Sequence, residues 1–470
     1  MKMKKILALM LVLSMVFAMV ACGDKDDDKN KDNTPTKAVE PTSELAHPEK
    51  RTINIGTWFE QYYTSAHQSV DANPNVNNLD EAQMQLDNMR AIEHRYNIEL
   101  YFKNLTWNGV IESINTSIMA GSPNCEVYQV DLQFGLPAVL AGYAEGLEDF
   151  LTEEEMNNES FQGLKLPGSD KTYLFYGKAK NTNGYPLGYN KALIEAANLE
   201  DPYELYLRGE WTWSKWMEYM EKLTNTSAGQ YGYRGAWTNT FTQLLFSNGA
   251  SVASPSPNED GQVVEGLSSQ ATTNVLNFMK EIYVDKGVSF WNADCDADWD
   301  SNVYAFGKGN VAFFPAACWI VQSADPEHQI DLGIVPWPTG PDVAEGQKVA
   351  SYNQTSGNFY MIPKGIDDPK QIYYVLRDYT AWYGDDLTLR DKTTWAEEWM
   401  AGSKNSETNF DVLCSMTDED SDFTIELWDQ VKLSDDYNIR GLIDGSCEVA
   451  QVIETNKQLV QDYLDTNFGN

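Results

Sequence analysis

The chain has few of the side chains on which much of catalysis depends. Its 470 residues include four histidines, at positions 47, 67, 94 and 328, and none falls in the His-Glu-x-x-His spacing of a zinc hydrolase. So few imidazoles leave little from which to build a metal centre or a serine-type triad. The six cysteines, Cys22, Cys125, Cys295, Cys318, Cys414 and Cys447, contain no close-spaced pair, which argues against both a disulfide framework and a zinc site. Basic residues are scarce as well: 34 Lys and Arg stand against 70 Asp and Glu, for a net charge of −36. A surface that acidic repels phosphate backbones, so no nucleic acid is expected as a partner. Past the first turns of chain, no segment is apolar for long enough to cross a bilayer.

Two patterns that suggest ion or phosphate binding also lack essential parts. Asp294-Cys295-Asp296-Ala297-Asp298-Trp299-Asp300 alternates acids like a calcium loop, but the sixth position is Trp299 instead of glycine and the twelfth is Ala305 instead of glutamate. Gly307-Lys308-Gly309 lacks the spacing of a phosphate-cradling loop and reads as a turn. Neither a metal nor a cofactor is expected.

At the start of the chain, Lys2, Lys4 and Lys5 precede an apolar run from Ile6 to Ala21, and Met19-Val20-Ala21-Cys22-Gly23 closes it. The run is shorter than the roughly 20 residues of a spanning helix, and this is the layout of a secretory leader, residues 1–21. The segment around Cys22 resembles a bacterial lipobox, departing from it at Met19 and Val20; the resemblance implies a lipid on Cys22 and a place on the outer face of the cell membrane. Residues 22–50 are dense in Asp, Lys, Asn, Pro and Thr, a composition that stays solvated and serves as a flexible tether. Loss of the leader removes three lysines and no acid, which takes the charge from −36 to −39.

From Arg51 about 420 residues remain, enough for two lobes, and 42% of the whole chain is hydrophobic. Alternation marks a strand at Arg51 to Gly56, helical spacing follows from Asp80 to Tyr96, and a second strand runs through Ile98, Leu100 and Phe102. A further helix is expected at Val110 to Ala120 and a strand at Glu126 to Val130, so the order strand, helix, strand, helix, strand predicts a parallel sheet. Ligands of such sheets sit beyond the carboxyl ends of the strands, here Trp58 to Glu60 and Asp131 to Phe134. Trp213, Trp216, Met217 and Met220 share one helical face, which assigns them, with Trp211, to the core.

A set of ordered segments then resembles the extracellular solute-binding proteins of carbohydrate ABC transporters. Tyr185-Pro186-Leu187-Gly188-Tyr189-Asn190-Lys191 is similar to that family's aromatic-Asn-Lys segment, and Asp201-Pro202-Tyr203 and Trp211-Thr212-Trp213 to the turn and helix start after it. Ala305 to Phe313, Gly333 to Pro338 and Tyr360 to Gly365 match later segments in order. The resemblance implies an α/β fold of the periplasmic-binding-protein type, with two discontinuous lobes around a ligand cleft. The lobes are placed at 51–180 plus 335–380 and at 181–334 plus 381–470, with crossings near Gly177 to Gly184, Leu332 to Pro336 and Tyr379 to Asp385. It further implies a monomer that is no enzyme and whose partners are a neutral sugar or oligosaccharide and membrane permease subunits. A sugar's apolar faces stack on aromatic rings while its hydroxyls take carboxylates and amides.

On that basis Trp319, at the end of an apolar strand from Val311 to Ala317, occupies the family's stacking position. Trp58 and Glu60 follow the first strand, and Asp131 and Gln133 the third, with helix capping as the alternative role of Asp131. Trp237 and Asn239 lie beyond Tyr231-Gly232-Tyr233, and Asn353 and Ser356 are assigned to the first lobe's wall. The rival classes are an anchored glycoside hydrolase, which needs two carboxyl groups at a set separation, and a tethered module for glycan sensing or adhesion. With 70 carboxylates, candidate pairs are inevitable and decide nothing, and no segment resembles a hydrolase signature.

Overall fold

The computed structural model describes residues 44–58, 79–153, 155, 162–166, 171–176, 185–255, 262–344, 357–384, 405–416 and 439–468. Cys22, Glu60, Asn353 and Ser356 lie outside them, as do the proposed crossing at 177–184 and the side chains of Gln133, Cys318 and Cys414.

The first sheet forms where the alternating segments predicted it. Strand β1 (Arg51–Thr57) pairs in parallel with β2 (Ile98–Asn104) and with β3 (Val127–Asp131). Beyond β3 the sheet turns antiparallel, through β12 (Gly357–Met361), β5 (Thr172–Tyr176) and β4 (Gln162–Lys165), so it is mixed and not wholly parallel. Helix Leu79–Tyr96 lays Ala82, Leu86, Met89 and Ile92 on β1 and β2, against Ile53, Ile55, Ile98 and Leu100, each at most 1% exposed. Helix Pro369–Thr380 completes that layer with Ile372, Tyr373, Val375 and Leu376. On the other face, helix Trp107–Ser113 continues into a π-turn, Ile114–Ile118, which buries Val110, Ile114 and Ile118 over Tyr128 and Val130.

The second sheet has the order β11 (Leu332–Val335), β6 (Leu187–Asn190), β10 (Val311–Pro315), β7 (Tyr231–Tyr233). Here β6 runs antiparallel to both neighbours, and β10 is parallel to β7. The strand expected to reach Ala317 stops at Pro315, and the chain turns into helix Cys318–Ala324. Tyr189, Asn190, Lys191 and Asp201, which carried much of the family resemblance, act as a structural joint. Asn190 caps helix Lys191–Ala196, while the Tyr189 hydroxyl and the Lys191 ammonium both donate to Asp201, itself the cap of helix Pro202–Leu207. Gly309, at φ 76°, ends the turn Ala305–Lys308 in the left-handed conformation that glycine adopts without strain.

A core of aromatics lies against the second sheet: Trp211, Trp213, Trp216, Met217 and Met220 are at most 5% exposed, as their spacing predicts. Leu332 to Val335 lies within the second sheet, and the residues after it are bonded there too. The indole of Trp211 donates to the Pro336 carbonyl at 3.1 Å, Trp337 donates to the Tyr185 carbonyl at 2.8 Å, and Gly340 N–H donates to Ser247 O at 2.8 Å. Asn248 both accepts from Asp342 N–H and donates to its carboxylate. Farther along, helix Ser406–Met416 holds β11 through Asn409, which accepts from Ile334 N–H and donates to Leu332 O.

Several buried phenols make alkaline stability predictable. Burial raises the pKa of Tyr189, Tyr233, Tyr283 and Tyr373, reinforced at Tyr189 by Asp201 and at Tyr373 by Glu155. Tyr96 is pushed up to about 12 by burial and by its hydrogen bond to Asp378. The folded chain thus keeps protons that the unfolded chain releases above about pH 10. This contribution is complete below that pH and is lost as pH rises further, by up to about 1.4 kcal/mol per pH unit for each such group. The urea midpoint should fall steeply above about pH 10, with phenolate absorbance rising as the chain unfolds; a midpoint unchanged to roughly pH 12 would contradict these shifts.

Candidate functional site

The three parallel strands of the first sheet each deliver an aromatic at or just past their carboxyl ends. Trp58 follows β1, Trp107 follows β2, and Phe134 lies in helix Leu132–Leu140 after β3. Their rings meet edge to face: Trp58 to Trp107 at 5.7 Å and 85°, Trp58 to Phe134 at 6.0 Å and 84°, and Trp107 to Phe134 at 4.4 Å and 64°. Phe134 is buried and Trp58 half-buried, while Trp107 remains 42% exposed, so the cluster is anchored from below and offers indole surface to solvent. Thr106, immediately before Trp107, has φ 66°, a conformation that a β-branched residue adopts only when its surroundings impose it.

The strand-end rule points to Trp58 after β1 and to Asp131 to Phe134 after β3, and Trp107 is not among the residues expected from the sequence. The same rule applied after β2 would have found it. Asp131 is 5% exposed and accepts from Phe134 N–H at 3.0 Å, the capping role given as its alternative. Gln133 lies in the helix that Asp131 caps.

In the second sheet, Trp319 is the second residue of helix Cys318–Ala324, beyond the carboxyl end of β10, and is 37% exposed. Tyr304 meets it edge-on, with ring centroids 6.3 Å apart at 81°. Trp237 opens helix Trp237–Ser247, past the end of β7, and is half-buried. Asn239 donates to the Tyr185 hydroxyl at 2.7 Å, which directs its amide nitrogen into the protein. Trp237, Asn239 and Trp319 thus stand beyond the ends of two neighbouring parallel strands, β7 and β10.

Exposed indole suits a ligand with apolar faces. Among the described residues no group of three His, Cys, Asp or Glu side chains is placed to hold a metal ion. The acidic stretch around Asp296 forms two short helices, Ala293–Ala297 and Trp299–Val303, in which Asp296 accepts from the Trp291 indole and pairs with Arg440. Cys125, Cys295 and Cys447 are buried free thiols, and burial pushes Cys125 up to about 11, far from the reactive range.

Residues 89–376 match the family model of the bacterial extracellular solute-binding proteins. Among solved structures, the chain is similar to an ABC transporter solute-binding protein of Thermotoga lettingae bound to α-D-tagatose, at 16% identity and a TM-score of 0.54, covering 88% of this chain and 100% of that one. It is also similar to a substrate-binding protein of Listeria monocytogenes in complex with cycloalternan, at 14% identity and a TM-score of 0.54, covering 90% and 100%. The maltose/maltodextrin-binding domain of Bdellovibrio bacteriovorus, bound to maltotriose, matches at 13% identity and a TM-score of 0.56, covering 89% and 100%. No curated protein matches the sequence. At these identities the likeness is one of fold, the two-lobed α/β fold of periplasmic binding proteins.

Proposed function

The chain belongs to the bacterial extracellular solute-binding proteins, and from that premise we propose that it is the substrate-binding lipoprotein of an ABC importer, capturing a neutral sugar or oligosaccharide. One observation carries the reading: exposed indoles stand beyond strand ends of both sheets, Trp107 beside Trp58 on one and Trp319 beside Tyr304 on the other. Closure of two lobes would bring such surfaces onto opposite faces of a sugar and remove it from water. The solved structures of similar fold named above hold tagatose, cycloalternan and maltotriose, which supports a carbohydrate as ligand.

We take the first lobe as 51–180 together with β12 and helix Pro369–Thr380, and the second as 187–342 with the C-terminal helices. The change from 335 to beyond 342 follows the bonds that hold Pro336 to Asp342 against the second sheet. Trp58, Glu60, Asp131, Gln133, Trp107, Asn353 and Ser356 are assigned to the first wall and Trp319, Trp237 and Asn239 to the second. A monomer delivers the sugar to the permease, and a lipid on Cys22 with the tether 22–50 keeps it at the outer membrane face, where its effective concentration near the permease is high. The family is one of binding proteins, and no catalysis is proposed.

Calorimetry of residues 44–470 against a panel of neutral and acidic glycans tests the ligand class; this start keeps the bonds from Gln371 to Leu45 O and from Asn97 to His47 O. Saturable binding of a neutral glycan is expected, and heat from none of them would retire the sugar. In cells, Cys22→Ser should release the protein into the medium; retention at the membrane would retire the lipid anchor.

A further inference from the structure

We propose that Arg234 is a positioning residue that holds the Tyr304–Trp319 pair in place at the end of the second sheet. The inference rests on reading that pair as a wall of the ligand site. Arg234 is the first residue past β7, the edge strand, and its main-chain N–H donates to Phe313 O of β10 at 3.0 Å. Its side chain is 4% exposed, no carboxylate pairs with it among the described residues, and its Nε has no hydrogen-bond partner among them. Burial without a counter-charge disfavours the guanidinium and lowers its pKa. A well-packed apolar residue would serve stability at least as well, so the reason for an arginine here lies in the direction of its contacts.

Apart from the Tyr231 ring of β7, 5.7 Å from the guanidinium, those contacts reach the segment that covers the sheet edge. Val288 O accepts from Tyr233 N–H at 3.2 Å and starts the cover; the Arg234 guanidinium then lies 3.7 Å from the ring centre of Phe290 and donates through Nη2 to Asn302 Oδ1. Asn302 in turn donates through Nδ2 to Asp298 O at 2.8 Å, so its amide is fixed with the oxygen toward Arg234. The bond therefore ties helix Trp299–Val303 to β7, and Tyr304 is the next residue. Its N–H is held by Asp300 O at 2.9 Å and its ring stands against Trp319, which reaches the same place from β10. Arg234 thus fixes the spacing between two chain segments, one carrying each ring. An edge-to-face pair changes its contact when either ring shifts by a fraction of its width.

The test uses the full chain labelled with 5-fluorotryptophan and no ligand, so a protein that bound no glycan would still report on the clamp. Trp319→Phe and Trp213→Phe assign the two fluorine signals, the second serving as a reference in the core. Asn302→Ala should move the Trp319 signal by more than its linewidth while the Trp213 signal stays, and Arg234→Met should do the same. Asn302→Asp keeps an acceptor and should leave the Trp319 signal near its native position. Should Arg234→Met fail to fold, Asn302→Ala decides alone. A Trp319 signal unmoved by Asn302→Ala, or equal movement of both signals, would overturn the assignment.

Discussion

Replacing Trp216 by alanine should lower the unfolding free energy by roughly 3–5 kcal/mol, the range for removing a buried aromatic. The residue is 0% exposed on helix Trp213–Leu223, and its ring meets Trp337 at 5.5 Å, Tyr233 at 5.3 Å, Phe278 at 6.0 Å and Phe313 at 6.3 Å. These partners come from β7, β10, helix Gln270–Lys280 and the segment after β11, so the ring joins four separate stretches of chain and no single one can collapse into the space left. The cost therefore includes a cavity as well as lost burial. Trp216 also carries an indole N–H with no hydrogen-bond partner among the described residues. Trp216→Phe keeps much of the volume and removes that donor, whose burial costs on the order of 1–3 kcal/mol, so it should destabilise by less than half as much as alanine. Urea unfolding measures both; equal losses would mean that the phenyl ring recovers nothing and would overturn this account of the site.

Trp319→Ala should leave stability nearly unchanged while ligand affinity falls by on the order of 2 kcal/mol, about thirtyfold. The contrast with Trp216 is one of exposure. Trp319 is 37% exposed and has one ring neighbour among the described residues, Tyr304, so its truncation opens no sealed cavity among them. An exposed indole past the end of a central strand does little for folding, and its surface is free to cover a pyranose face. Trp319→Phe should recover most of the loss, because a flat ring remains. Titration of the best glycan from the calorimetric panel makes the comparison, and unchanged affinity in Trp319→Ala would remove this residue from the site.

Much of the first sheet was legible because its core has simple periods. Ala82, Leu86, Met89 and Ile92 mark one helical face, Ile98, Leu100 and Phe102 alternate along β2, and all seven are buried. The reversal of direction at β12 was not legible, since its partners β3 and β5 lie far back in the chain and nothing local encodes the pairing. At the site, Asp131 shows the limit of a residue type: a carboxylate after a strand can cap a helix or bind a ligand, and its bond to Phe134 N–H is the capping one. The family-like segment Tyr189 to Lys191 was recognisable as a pattern, but its role as a joint around Asp201 needed the positions of both side chains.

The order of hydrophobic residues determined by itself the helix before β2, the first parallel strands and the tryptophan face of the core. These properties depend on neighbours within about one turn or one strand, where spacing is geometry. The tertiary structure alone decided which aromatics stay exposed, how Trp107 joins Trp58 and Phe134, and that Arg234 lies buried and bonded to Asn302, two residues before Tyr304. Those outcomes depend on contacts between residues tens to hundreds of positions apart. Exposure of a side chain is a property of everything packed around it, which no local pattern contains.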